Sequence, residues 1–130
     1  MSGSFVPMNL RPIVFVDLET TGLDCHTHEI LEFAAVRTDP EGREQAYFEH
    51  RVIPEHIDRA SPEALQVNGY TESGWFDAVP LRVALVDYAQ ILGADEECIT
   101  VIQNPVFDMG FIREAVRKTS SEDSASSRRS

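Results

Sequence analysis

Four short apolar segments, rich in β-branched and aromatic residues, predict a β-sheet. The first three, Pro12–Leu18, Glu29–Arg37 and Gln45–Ile53, follow one another with turn-forming residues such as Asp39–Gly42 between them. This arrangement predicts an antiparallel meander, since short connections join antiparallel neighbours. The fourth segment, Cys98–Ile102, comes much later and predicts a short strand that joins the same sheet.

Apolar residues at helical spacing predict three helices around these strands. Ser61 followed by Pro62 is typical of a helix start, and Gly69 ends that short helix. Longer periodic stretches run over Pro80–Leu92, capped by Gly93, and onward from Asn104-Pro105. The buried faces are predicted as Leu81, Leu85, Tyr88 and Leu92 in the second helix, and Phe107, Phe111 and Ala115 in the third. The order β-β-β-α-α-β-α predicts an α/β fold.

The chain length allows one domain. The sequence has 130 residues, of which 42% are hydrophobic, so it can bury a core without a disulfide or a metal. We expect a flexible leader over 1–11, a partial domain over 12–118 and a disordered, Ser-rich tail over 119–130. Cys25 and Cys98 form no C-x-x-C pair and are expected to stay reduced. No apolar run resembles a membrane span or signal peptide, so the expected location is cytoplasmic.

The formal net charge of −11 changes the range of functions to consider. A protein that grips nucleic acid through a broad basic face uses many Lys and Arg side chains, and this chain has 11 of them against 22 acidic residues. Carboxylates can still bind nucleic acid indirectly when they hold divalent cations, which supply the missing positive charge.

Asp17 and Glu19 stand at the end of the first predicted strand. Because side chains alternate along a strand, both project on the same side as Ile13 and Phe15. No Lys or Arg lies within five residues of either carboxylate. Two such groups repel each other, and a divalent metal ion would relieve the repulsion. The alternative is a solvated strand end that leads into a turn.

Asp108 is the third candidate carboxylate. It lies in the first turn of the last predicted helix, directly after a buried strand, where the helix dipole favours an anion. On its own, Asp108 could equally serve to stabilise the helix start, with Phe107 and Phe111 as core residues. Its interest comes from Asp17 and Glu19.

These residues carry a resemblance to a known family. Asp-Leu-Glu-Thr-Thr-Gly-Leu at 17–23 resembles the first motif of the DEDD superfamily of 3′→5′ exonucleases, which includes the proofreading subunit of bacterial DNA polymerase III and ribonuclease T. Asn104 with Phe107-Asp108 and Phe111-Ile112 resembles the second motif. The segments 29–36 and 67–71 are also similar to the family's layout.

The resemblance implies a ribonuclease H-like fold and a metal-dependent hydrolysis of nucleic-acid 3′ ends to nucleoside monophosphates. It implies two Mg²⁺ or Mn²⁺ ions held by Asp17, Glu19 and Asp108, which would be the catalytic residues. The expected partner is a single-stranded 3′ end, DNA rather than RNA, with a polymerase as a further partner. The residues that would line the 3′ nucleotide are Leu18, Thr20, Thr21, Leu23, Asn104 and Phe107.

The sequence departs from the family pattern in one major respect. The family's third motif supplies a histidine as general base and a further aspartate, whereas all four histidines here, at 26, 28, 50 and 56, precede Asp108. We interpret His26 and His28 as loop residues and His50 as structural. Gln103 and Pro105 also differ from the usual second motif. The sequence therefore leaves open an exonuclease with little activity alone, a non-catalytic end-binding or interaction fragment, and a ribonuclease H-type endonuclease, which fits the Thr-Thr-Gly-Leu turn less well.

A partial domain should leave part of its sheet uncovered. We therefore predict self-association or low solubility unless a partner covers that face. Size-exclusion chromatography with light scattering measures this directly. A monodisperse, monomeric profile would contradict the prediction.

Overall fold

The computed structural model describes residues 6–93 and 98–129 and has the α/β fold predicted from the sequence. Two single turns of 3-10 helix cover Met8–Leu10 and Ile57–Arg59. The four strands are β1 (Ile13–Thr20), β2 (Ile30–Thr38), β3 (Glu44–Arg51) and β4 (Ile99–Ile102), and the three helices are α1 (Pro62–Asn68), α2 (Leu81–Leu92) and α3 (Pro105–Arg129).

The strands form one mixed sheet in the order β3-β2-β1-β4. The pairs β1–β2 and β2–β3 are antiparallel, which confirms the predicted meander. β4 lies parallel to β1, with partners running from Ile13↔Ile99 to Val16↔Ile102. The carboxyl ends of β1 and β4 therefore lie at the same edge of the sheet.

One face of the sheet is covered by α2 and α3 and carries the core. The β1 residues on this face are Val14, Val16 and Leu18, all buried. Phe33 is fully buried between the rings of Phe48 and Tyr88, whose centroids lie 5.4 and 5.2 Å from its own. These contacts join β2 and β3 to α2, so the aromatic cluster fixes the helix layer on the meander.

The opposite face of the sheet is open. Phe15, Tyr47 and Val101 lie on it with 44%, 64% and 43% of their surface exposed. They are near neighbours across the strands, since Phe15 pairs with Val101 in β4 and with Val36 in β2, which in turn pairs with Tyr47. This open face is the apolar surface on which the predicted self-association depends.

The caps of α1 match the sequence prediction. The Ser61 hydroxyl accepts a hydrogen bond from the Ala64 N–H at 3.4 Å, and Gly69 ends the helix with φ +66°. In α2 the predicted face is rotated. The fully buried positions are Ala84, Tyr88 and Ile91, whereas Leu81, Leu85 and Leu92 are only half-buried. The small Ala84 side chain allows the helix axis to approach the sheet, which turns the bulkier leucines to the flanks.

The predicted leader and tail remain predictions. In the structure, α3 continues through Arg129, past the predicted start of the tail at Thr119. No Gly or Pro follows Gly110, so nothing interrupts the helical hydrogen bonding, and each added residue extends it by one bond. At the other end, Arg11 donates from Nε to the Val6 carbonyl at 2.7 Å, which orders part of the predicted leader. Residues 1–5 and 130 lie outside the described part of the chain.

Cys25 and Cys98 are both half-buried and form no disulfide with each other. Among the helices of residues 6–93 and 98–129, none is both long and apolar enough to cross a bilayer.

The aromatic cluster should dominate stability. Phe33→Ala removes a ring that is 0% exposed, and we expect a loss of about 3–5 kcal/mol in the free energy of unfolding. Phe76→Ala is the matched control, because the Phe76 ring is 86% exposed and its loss should cost under about 0.5 kcal/mol. Urea unfolding followed by circular dichroism measures both, and similar losses in the two variants would refute the proposed core.

Candidate functional site

Asp17 and Glu19 lie on the open face at the carboxyl end of β1. Asp17 is exposed and pairs with Ala34, whose small side chain leaves space beside the carboxylate. Glu19 is half-buried and pairs with Glu32 on β2. The register shifts between Glu19 and Thr20, a bulge that ends the regular ladder directly after the second carboxylate.

Asp108 reaches the same edge through the parallel strand. Ile102, the last residue of β4, pairs with Val16, one position before Asp17. α3 begins three residues later, and the Asp108 N–H donates to the Asn104 carbonyl at 2.9 Å in its first turn. The Asp108 side chain is buried, with 8% of the residue exposed. The structure thus brings Asp17, Glu19 and Asp108 to one edge.

The three carboxylates are close enough for their negative charges to repel one another. The pKa of Glu19 is raised, first by desolvation and then by the charges of Asp17, Glu32 and Asp108. The pKa of Asp108 is also raised, first by burial and then by Asp17. Asp17 is common to both, so it is the central charge of the cluster.

Glu32 is a fourth carboxylate that the sequence analysis did not single out. Arg51 on β3 approaches it, with 3.6 Å between Arg51 Nε and Glu32 Oε1. The Arg51 guanidinium also donates to the Gly74 carbonyl at 2.5 Å and lies 4.6 Å from the centre of the Trp75 ring. Arg51 is therefore fixed in place, and the Arg51–Glu32–Glu19 row crosses three strands toward the site.

The Thr-Thr-Gly turn after β1 uses its own side chains internally. Thr20 Oγ1 donates to the Gly22 carbonyl at 2.7 Å, and Thr21 Oγ1 accepts from the Glu29 N–H at 2.9 Å. Thr21 is 1% exposed, and Leu18 faces the helix-covered core. The side chains of Leu18, Thr20 and Thr21 are thus buried, and both hydroxyls are used in internal hydrogen bonds.

The other predicted substrate residues lie nearer the surface. Leu23 is 85% exposed. Asn104 is exposed and caps α3, with Oδ1 accepting from the Phe107 N–H at 3.4 Å. Phe107 is half-buried and packs on Phe111, with ring centroids 4.9 Å apart. Leu23 and Asn104 are accessible to a ligand, whereas Phe107 serves at least partly as core.

The donor set suits a divalent cation in its chemistry. Three mutually repelling carboxylates supply the oxygen ligands that Mg²⁺ and Mn²⁺ prefer. Within residues 6–93 and 98–129, no three His, Cys, Asp or Glu side chains are preassembled as a metal-binding group. The fit therefore rests on charge and placement at the edge. Two histidines have carboxylate partners: His50 Nε2 lies 2.6 Å from Asp87, and His26 Nδ1 lies 3.5 Å from Glu114.

Comparisons with known proteins identify the family and the fold. A family model described as an exonuclease, RNase_T, matches residues 14–127. The PolC-type DNA polymerase III of Oceanobacillus iheyensis is 33% identical over 112 residues, which cover 85% of this chain and 7% of the polymerase. The chain thus spans a small fraction of that relative.

Solved structures of exonuclease I share the fold. The enzyme from Methylocaldum szegediense superposes with a TM-score of 0.71 at 19% identity, over 82% of this chain and 23% of that one. E. coli exonuclease I in complex with a dT13 oligonucleotide gives 0.70 at 20% identity, over 81% and 23%. A zinc-bound E. coli exonuclease I–single-stranded DNA complex gives 0.71 at 20% identity, with the same coverage.

The negative charge of Asp17 should destabilise the folded protein when no metal is bound. The folded chain holds protons on Glu19 and Asp108 more tightly than the unfolded chain, since both pKa values are raised. Their contribution to stability is therefore greatest below the ordinary carboxyl pKa of about 4 and is lost as pH rises through the raised values. Asp17→Asn should raise the unfolding temperature in EDTA, and its advantage over the native chain should widen between about pH 4 and about pH 7.

The matched control is Glu44→Gln, which removes an exposed carboxylate at the opposite end of the sheet. It should leave the unfolding temperature nearly unchanged. Millimolar Mg²⁺ or Mn²⁺ should stabilise the native chain more than Asp17→Asn. A lower unfolding temperature for Asp17→Asn in EDTA would contradict the repulsion argument.

Proposed function

The chain belongs to the exonuclease family of the DEDD superfamily, and we propose that it hydrolyses single-stranded nucleic acid from the 3′ end with two divalent metal ions. The observation that carries the proposal is the convergence of Asp17, Glu19 and Asp108 at one edge of the sheet, where burial first and the charge of Asp17 second raise the pKa of Glu19 and of Asp108. Such a cluster is stabilised by cations, and a phosphodiester is a ligand that divalent cations bind well.

Each carboxylate has a distinct part in this proposal. Asp17 is central to the other two and would contact both ions, whereas Glu19 and Asp108 would each hold the cluster from one side. When bound, the ions would supply positive charge that favours ionisation of the attacking water and stabilises the departing oxygen. The bulge after Glu19 and the first turn of α3 would fix the carboxylates in place, which lowers the reorganisation needed during reaction.

The surface around the edge suits an unpaired strand end. Leu23 and Val106 are 85% and 88% exposed, and each lies close in sequence to a proposed ligand. We propose that these apolar side chains pack on the terminal base or sugar, while the backbone of Leu18–Thr21 and the Asn104 side chain contact polar atoms. Base contacts of this kind tolerate different sequences, as an exonuclease requires.

DNA is the proposed substrate rather than RNA. Supporting it, the exonuclease I structures similar in fold include complexes with single-stranded DNA, and the sequence relative is a DNA polymerase. The net charge of −11 is consistent with binding that relies on held cations rather than on a broad basic surface. A polymerase is the proposed partner.

A second candidate function is binding of a nucleic-acid end without cleavage. The observation that favours it is that, in the part of the chain described, no three ligand side chains are preassembled for a metal. The same edge would then recognise a 3′ end through one weakly held cation. Cleavage assays distinguish the two functions.

The decisive assay uses a 5′-labelled single-stranded DNA with Mg²⁺ or Mn²⁺. Hydrolysis from the 3′ end should give a ladder of shortening products. Glu19→Ala and Asp17→Ala should each lower the rate by about 100-fold or more, since loss of a residue that merely supports a metal ligand already costs about 10–100-fold.

Glu44→Ala is the matched control and should retain full activity, because Glu44 lies at the far end of the sheet. A 3′-labelled substrate should release labelled mononucleotide at once, whereas an endonuclease would release longer labelled fragments. Metal-dependent binding of DNA with no cleavage would favour the second candidate. Activity that survives Asp17→Ala would refute the proposed site.

A further inference from the structure

A cavity of about 330 Å³ lies apart from the carboxylate edge. It is enclosed by the loop after β1, the segment after β3, the start of α2 and the middle of α3. The described residues that line it include none of Asp17, Glu19 and Asp108. Its volume is at the lower end of the range for small-molecule sites, about 300–1,000 Å³, and suits a ligand of nucleotide size or smaller.

Basic side chains are concentrated around this cavity. The lining includes three permanently charged basic side chains, Arg59, Arg82 and Lys118, and three histidines, His26, His28 and His56. Lys118 is the only lysine in the sequence, and three of the four histidines are present. In a chain with a net charge of −11, a lining that carries as many basic as acidic side chains is less hostile to an anion than the rest of the surface.

The acidic side chains of the lining are largely committed to other partners. They are Glu29, Glu55 and Glu114. The Glu29 carboxylate accepts two backbone hydrogen bonds, from the N–H groups of Glu55 at 2.8 Å and His56 at 2.9 Å. The Glu114 carboxylate is bound by the Arg117 guanidinium and approached by His26 at 3.5 Å. The two backbone N–H groups satisfy the Glu29 carboxylate, and Glu114, which also lies near Lys118, is paired mainly with Arg117 outside the lining.

Two contacts hold the His28 ring in one orientation, in which Nε2 is the hydrogen-bond donor. Its Nδ1 accepts a hydrogen bond from the Asp24 N–H at 3.1 Å, so a neutral His28 ring must carry its proton on Nε2. The ring packs against Gly22 so closely that a methyl group at that position would overlap it. The hydrogen bond and the contact together hold the ring, which lowers the cost of ordering it around a ligand.

We propose that this cavity binds a phosphate group, carried by a nucleotide or free in solution, with Lys118, Arg59 and His28 as its main donors. Arg guanidinium and Lys ammonium groups form the strong, charge-assisted hydrogen bonds that phosphate oxygens accept. The proposed site shares none of Asp17, Glu19 and Asp108 with the carboxylate edge, so it does not rest on the proposed exonuclease reaction.

The single lysine permits a direct test. An amine-acetylating reagent can modify only Lys118 and the N-terminal amine, and mass spectrometry separates the two. In metal-free buffer, which excludes metal-mediated binding at the carboxylates, inorganic phosphate or thymidine 5′-monophosphate should slow acetylation of Lys118. The N-terminal amine should react at an unchanged rate and serves as the internal control.

The dissociation constant of each ligand follows from the concentration dependence of the protection. Arg59→Gln should weaken binding by about tenfold or more, because a charge-assisted hydrogen bond contributes about 1.5–3 kcal/mol. Arg43→Gln is the matched control, since Arg43 pairs with Glu41 at the β2–β3 turn, and its effect should stay within about twofold. Thermal unfolding of each variant verifies folding.

If the nucleotide slows acetylation of Lys118 and phosphate does not, the cavity also contacts the nucleoside. Protection by both at similar concentrations would mean that the phosphate alone is recognised. The proposal fails if neither ligand slows acetylation of Lys118, if the N-terminal amine is protected equally, or if a folded Arg59→Gln binds as tightly as Arg43→Gln.

Discussion

Mutual repulsion among carboxylates is the constraint on which the site depends. Side-chain alternation in β1 places Asp17 and Glu19 on one face, and the parallel pairing of β4 brings Asp108 to the same end. Apolar residues of the same strand pack into the core on the other face, so β1 carries its charged and its core side chains on opposite faces. The aromatic cluster in that core stabilises the fold against the repulsion between the carboxylates.

The strands and helices were readable from the sequence because their signals are local. β-branched runs, the Ser61-Pro62 start and the Gly69 end each depend on neighbouring residues. The error arose where distant packing decides. The stripe of α2 that is buried is centred on Ala84, Tyr88 and Ile91, which the spacing of the leucines alone does not reveal.

The site was predictable in part for the same reason. Asp17 and Glu19 could be placed by alternation, and the family resemblance linked them to Asp108. The Arg51–Glu32 pair could not be found, because it depends on the register of β2 and β3, which shifts between Arg37 and Thr38. Burial of the Thr20 and Thr21 hydroxyls follows from the fold of the turn. The basic cavity draws its residues from four separated segments, and no sequence window contains them together.

β4 has only four residues, yet its pairing with β1 sets where α3 begins and therefore where Asp108 lies. Short strands of this kind open more readily than the core, and such local opening would move Asp108 away from Asp17. A cation bound by both Asp17 and Asp108 would therefore stabilise the pairing of β4 with β1. Amide hydrogen exchange in β4 would then be slower when the metal is bound. The cation that the proposed reaction needs would also hold this strand in place.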